Sequence, residues 1–240
     1  MRNRIFSTDS PKAIKADEYG YLNAIHYMAP ADLAGVGNLC PFLSKGCKAL
    51  CLGAHSGAAI YYPSVLQSRI AKARRFMRER HAYMADVVRA INTELRNAKR
   101  KGKTLCVRMN GSTDISWEYI RDGKGRTLFD LFPDIQFVDY TKNPNRFSRV
   151  AKRPANYHLT FSRSEENDAT AIRLLEQGVN VAVVFAGEKP ATWHGYTVTD
   201  GDSHDLRHLD PRGPRGHVIA LSPKGNKAKR DTSGFVVKVS

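Results

Sequence analysis

Five short apolar runs, each separated from the next by a helical or polar stretch, constrain the fold of this chain more than any other feature. They are TLCVRM (104–109), IQFVDY (135–140), YHLTF (157–161), VNVAVVF (179–185) and HVIALS (217–222). Runs of this length rich in Val, Ile, Phe and Tyr read as buried strands. Between the third and fourth, SEENDATAIRLLEQG opens with a serine followed by acids and closes on Gly178, the marks of a capped helix. Strands alternating with helices imply parallel pairing through right-handed crossovers. The expected fold class is therefore α/β, a TIM-like barrel either partial or complete, with an open sheet as the alternative.

Upstream, the stretch from Tyr62 to Gly102 repeats apolar residues by three and four, at Leu66, Ile70, Ala73 and Met77 and again at Met84, Val88, Ile91 and Leu95. That period predicts one long helix, or two in succession, begun at Pro63 and stopped at Gly102. A chain of 240 residues can bury one full core, so we expect a single α/β domain. Within it, residues 1–62 carry the cysteines, 63–102 are helical and 103–240 hold the β/α units.

A parallel sheet places its functional residues just past the C-terminal ends of its strands. Polar residues gather there: Arg108, Asn110 and Asp114 with Glu118, then Asp139, Thr141, Lys142 and Arg146, then Thr160, Ser162 and Arg163. The later segment TDGDSHDLRHLD adds Asp200, Asp202, His204, Asp205, Arg207 and Asp210. Gly111, Asn143, Pro144 and Gly201 need no more than turn chemistry, whereas Arg108 and Lys142 do.

Three of the four cysteines, Cys40, Cys47 and Cys51, fall in CPFLSKGCKALC. Three thiols neither complete a tetrahedral zinc site nor all pair with one another. An iron–sulfur cluster can be held by three cysteines, leaving one iron free for a small molecule or water. We expect that cluster ahead of zinc, for which His26, His55 or Cys106 would supply the fourth ligand, and zinc ahead of ordinary thiols. Gly46, Gly53 and Gly57 would let backbone approach the cofactor. Cys106, inside an apolar strand, reads as a small hydrophobe. His204 and His208 lack an ordered metal-site spacing.

The formal charge of +15 favours a polyanionic partner, DNA or RNA. Arg69, Lys72, Arg74, Arg75, Arg78 and Arg80 crowd one helix and NAKRKGK extends the charge, with Arg74, Arg75, Arg78 and Lys101 the expected contacts. No run of about 18 apolar residues occurs, so we expect a cytoplasmic protein without a membrane partner. The oligomeric state is not legible.

The blocks GYLNAIHYMAPADLAGVGNLCPFLSKGCKALCLGAHSGAA, RMNGSTDISWE, FPDIQFVDYTKNPNR and DGDSHDLRHLDPRG resemble the successive blocks of the phage "gene product 88" family. That resemblance implies origin in a bacteriophage or integrated element and carries no activity with it. The chain is more weakly similar to radical SAM enzymes, which set a three-cysteine 4Fe–4S cluster before a β/α barrel. The spacing C-x6-C-x3-C departs from their C-x3-C-x2-C, and AGEKP (186–190) comes too late to serve as their SAM-binding strand. The similarity reaches the cluster and the barrel and stops short of SAM. Together these readings give an expected 4Fe–4S protein with an open iron at the barrel mouth. Arg108, Asn110, Asp114, Glu118, Asp139 and Lys142 would line that mouth for redox or Lewis-acid chemistry on a small anionic or nucleic-acid-derived ligand. The alternatives are a nucleic-acid-binding module stapled by zinc or iron–sulfur, and an electron-transfer or redox-sensing protein.

Overall fold

The computed structural model describes residues 4–55, 58–148 and 153–239; Gly57 lies outside them. Among the described residues ten strands form one sheet: β1 (Phe6–Ser7), β2 (Tyr21–His26), β3 (Thr104–Arg108), β4 (Gln136–Thr141), β5 (Tyr157–Ser162), β6 (Val181–Ala186), β7 (Thr192–Trp193), β8 (Tyr196–Asp200), β9 (Val218–Leu221) and β10 (Val236–Lys238). The helices are α1 (Pro11–Ile14), α2 (Lys45–Ala49), α3 (Ala58–Tyr61), α4 (Pro63–Arg78), α5 (Arg80–Arg100), α6 (Leu128–Leu131), α7 (Asp168–Glu176) and α8 (Asn226–Lys229).

The strand order is β1-β2-β3-β4-β5-β6-β9-β8-β7, and every neighbouring pair from β2 to β8 is parallel. The sheet is open, with antiparallel β1 and β7 at its ends, so the expected barrel does not close. The barrel expectation nevertheless caught the winding. From β2 to β6 each crossover steps the same way across the sheet, and crossovers of one hand then put their helices on one face, whereas β8 to β9 steps back and its connection covers the other face. Strand residues alternate accordingly. Leu22, Ala24, Leu105, Val107, Phe137, Tyr157 and Leu159 pack with α4 and α5, while Phe161, Val181, Val183 and Val218 pack with α7. The opposite face is covered by Ala16 and by Leu206, which meet Cys106 and Val138.

The long helical segment breaks at Glu79, whose φ of −130° and ψ of 48° leave the helical region. Its buried stripe runs through Ala73, Phe76, Tyr83, Met84, Val87 and Ile91. The predicted stripe is displaced slightly from this one, and Leu95, placed on it by the period, is 41% exposed. The structure turns inward instead the stems of Arg69, Lys72 and Glu94, which long side chains allow. β10 is parallel to the C-terminal half of β6, where Val184 has Val236 on one side and Leu221 of β9 on the other. β5 pairs only with the first two residues of β6, so β10 continues its edge.

Candidate functional site

The three early cysteines reach the C-terminal ends of β2 and β3 because two loops are welded there. Gly111 donates its N–H to His26 O at 2.9 Å, and a Cβ on it would stand 2.6 Å from that oxygen, so the position requires glycine. Ser112 Oγ donates to Met28 O at 2.6 Å and Asp114 N to Leu39 O at 2.9 Å. Asn110 ties the rest of NGSTDISW into a knot. Its Oδ1 accepts from Thr113 Oγ1, Ile115 N and Trp117 Nε1, and its amide donates to Ile115 O and to Asp139.

Cys40 Sγ accepts from Ala31 N at 3.3 Å and lies 3.9 Å from Ser112 O. Cys51 Sγ accepts from Gly53 N at 3.4 Å, and a Cβ on Gly53 would meet Ser112 Cβ at 2.6 Å. The two thiols thus flank the same residue. Cys47 rides on α2, whose N-cap Ser44 accepts from Cys47 N at 3.1 Å. Glu165, past the end of β5, holds that helix: its carboxylate accepts from Ser44 Oγ at 2.8 Å and from Gly46 N at 2.6 Å. A cleft of about 360 Å3 between Arg163, Asp231, Gly234 and Val236 opens beside this clamp.

Each thiol lies in the electrostatic field of the others. Burial pushes Cys40 up to about 12, against the Ala31 N–H, and charge on Cys51, Asp114 or Cys47 would push it further. Burial also raises Cys51; the Gly53 N–H and the Lys142 ammonium oppose the shift. None of the cysteines is in a disulfide. Among the described residues no three His, Cys, Asp or Glu side chains are grouped tightly enough to hold a single metal ion.

The residues expected to line one mouth fall into three groups. Arg108 points to the face away from the helices, where it pairs with Asp205 at 2.6 Å and lies over the Tyr140 ring. Asn110, Glu118 and Asp139 are buried among other side chains. There Arg146 makes two bonds of 2.7 Å to Glu118, and Tyr157 Oη donates to Asp139 at 2.6 Å. Burial raises Asp139 to about 7 despite those donors. Only Asp114 and Lys142 remain beside the thiols. Lys142 N donates to Asp114 Oδ2 at 2.8 Å, and its ammonium donates to Ser162 Oγ at 3.0 Å and faces the Phe235 ring.

Of the proposed fourth zinc ligands, His26 is fully buried between Met109 O and Tyr83 Oη, and Cys106 faces Leu206 on the other side of the sheet. His55 is exposed just beyond Cys51. Asp200 and Asp202 pair with Lys189 of the AGEKP run.

The basic residues do not form one patch. Arg69 is buried, donating to Gly53 O at 2.7 Å and stacking on Tyr27, so it supports the cysteine loop. Arg74 reaches Ala34 O, Arg75 pairs with Asp86 and Glu79, and Arg78 is exposed. Lys101 follows the far end of α5, about 30 Å away along the helix axis at 1.5 Å per residue. Sequence reading also missed the Glu165 clamp, which no motif marks because it joins residues 119 positions apart.

No helix among the described residues is long and apolar enough to cross a membrane. No curated protein and no solved structure matches the chain, so the radical SAM resemblance gains no support. The family model described as Gene product 88 matches residues 4–239. That match takes in all ten strands, the thiol loop and the Glu165 clamp, and the chain belongs to the bacteriophage Gene product 88 family.

Proposed function

We propose that this protein holds an iron–sulfur cluster on Cys40, Cys47 and Cys51 and binds a small anionic ligand beside it. The observation that carries the reading is a run of three thiols with six and three residues between them, of which Cys40 and Cys51 are held on either side of Ser112 and Gly53 at the C-terminal ends of β2 and β3. The donor set fits such a group: Cys40 and Cys51 each accept a backbone N–H, the bond that stabilises ligating sulfur. When bound, the cluster would supply one-electron chemistry or a Lewis-acid iron.

The chain's own contribution is charge and position. Lys142 is aimed by neutral partners, Ser162 and Phe235, and among the described residues no carboxylate pairs with its ammonium. It therefore keeps its positive charge available for an anion, of which a nucleotide phosphate is one example. Asp114, fixed through the Lys142 and Leu39 backbones and facing Arg146 Nη1 at 3.5 Å, supplies a carboxylate on the Cys40 side for proton transfer.

Protein prepared without oxygen is expected to be brown and to contain iron and acid-labile sulfide. Cys47→Ala is expected to lose most of both while remaining folded by circular dichroism. A wild-type protein that stays iron-free after anaerobic reconstitution would overturn the proposal.

A further inference from the structure

The cations expected to contact a polyanion scatter, yet a different set lines up. Viewed down the axis of α5, Arg89, Arg96, Lys99 and Arg100 fall in one sector of about 100°, at 3.6 residues per turn. That sector lies opposite the buried stripe of Tyr83, Met84, Val87, Ile91 and Ala98, and all four cations are exposed. From His81, exposed at the start of the helix, to Arg100 the row is about 28 Å long at 1.5 Å per residue.

The row carries no free carboxylate of its own helix. Of the two acids of α5, Glu94 is on the buried side, and Asp86 lies on the flank, where Arg75 and Arg89 share it. Arg96 and Arg100 donate to neutral oxygens one turn back, Thr93 Oγ1 and Asn97 Oδ1. Lys99 joins no ion pair among the described residues. Beyond the helix, Lys103 takes Asp17 at 2.6 Å. Beside its start lies the turn of residues 122–126, where a Cβ on Gly123 would stand 4.0 Å from His81 Nδ1. There Asp122 is spent on Arg126, and Lys124 is exposed. The negative end of the helix dipole explains cations in the last turn, Lys99 and Arg100. It fades within that turn and leaves Arg96 without a structural role, while Arg89 has only half of one carboxylate.

The uncharged groups of the row decide which polyanion fits. Asn92 Nδ2 donates to Val88 O and Thr93 Oγ1 to Arg89 O, both at 3.0 Å, so these side chains are turned onto their own helix and away from base edges and sugar hydroxyls. No aromatic ring is exposed on α5 for unpaired bases to stack on, and Leu95 is its one exposed large apolar side chain, too little to enter a membrane. A regular phosphate backbone remains. The major groove of B-form DNA, about 12 Å wide, admits a helix, whereas that of duplex RNA is too narrow for side chains.

We propose that the exposed side of α5 docks on the backbone of double-stranded DNA, irrespective of sequence, through Arg89, Arg96, Lys99 and Arg100. The row lies on the helix side of the sheet and uses no thiol, so it stands independently of the cluster.

The test is fluorescence anisotropy of the full chain with labelled DNA duplexes of about 20 base pairs, roughly two helical turns, between about 50 and 200 mM salt. Duplex RNA and single-stranded DNA of the same sequence are the competing probes. Duplex DNA is expected to bind most tightly, alike for two unrelated sequences, and in Cys47→Ala as in the wild type. Arg96→Gln with Lys99→Gln, which keeps good helix formers in place, is expected to leave Tm unchanged, lower affinity at least about tenfold and reduce the slope of log affinity against log salt by about two. Arg173→Gln with Lys238→Gln removes the same charge from exposed positions on α7 and β10 and is expected to leave that slope within about half a unit of wild type. No duplex binding at the lowest salt, equal or tighter binding of RNA or single strands, or equal losses in the two double variants would overturn the assignment. A preference above about a hundredfold between the two sequences would overturn the backbone reading.

Discussion

Glu165 shows how much of the thiol site depends on a residue that carries no thiol. Its two oxygens bind the N-terminal turn of α2 at Ser44 and Gly46, and Ser44 in turn receives the N–H of Cys47. A Cβ on Gly46 would stand 2.5 Å from Ser233 Oγ and 2.8 Å from Glu165 Oε2, so the helix is gripped from two sides. Glu165→Ala leaves Gly46 N and Ser44 Oγ without their acceptor, which is expected to cost about 1–3 kcal/mol in a urea titration. It is also expected to reduce iron retention while all three cysteines remain. Iron retention equal to wild type would show that α2 positions Cys47 without the clamp. At this scale the sequence was legible where chemistry is local. The cysteines and Lys142, named from type and spacing, are brought to one end of the sheet, whereas Asn110 and Asp139, conspicuous as polar residues after strands, turn out to face each other.

Among the elements, α5 best separates charge that is displayed from charge that is spent. Arg89, Arg96, Lys99, Arg100 and Lys101 are exposed along it, while Arg69 and Lys72 on α4 are buried. If the protein contacts DNA or RNA, Arg96→Glu with Arg100→Glu is expected to weaken retention on either polymer and flatten its salt dependence, because fewer counterions are released. Substituting Arg69 should instead disturb the loop held at Gly53 O. Binding unchanged by the double reversal would remove α5 as the contact, and no retention of the wild type at low salt would remove the partner. The five strands named from their apolar runs form within one or two residues of the expected limits. β2 escaped notice because Asn23 and His26 interrupt its apolar pattern, and both are buried for tertiary reasons. β1, β7 and β10 are two or three residues long, too short for any period to show. The break at Glu79 involves neither proline nor glycine, so nothing local announced it.

For the whole molecule, titration couples the two faces of the sheet. Burial lowers His26 and His158 to about 3 and His208 to about 4, so the folded protein resists protons that the unfolded chain accepts below about 6.5. Their stabilising contribution is complete above that pH and is lost as the pH falls toward 4. Asp139 and Asp210, raised to about 7 and about 6, act oppositely: the folded state holds protons that the unfolded chain has released, so stability falls as pH rises through that window. Three histidines against two carboxylates leave a net loss on acidification, and the urea midpoint is expected to drop between pH 6.5 and 4.5. A flat or rising midpoint over that range would contradict the assignment. Replacing Asp139 with Asn is expected to steepen the drop by removing one opposing group.

The alternation of strands and helices foretold a parallel sheet wound in one direction. The barrel expected from it does not close, because closure depends on what the edge strands do, and β1 and β7 carry no distinctive pattern. The pairing of β10 with β6 has a temporal consequence. The cysteines are made early, yet Ser233 seals Gly46 and Phe235 seals Lys142 from the segment leading into β10, almost two hundred residues after Cys40. On the ribosome, the thiol loop must therefore wait, reduced and unclamped, until nearly the entire matched region has emerged. If the three cysteines hold the proposed cluster, its loading follows synthesis of Ser233 and Phe235, and a chain released before them lacks the seal on both residues.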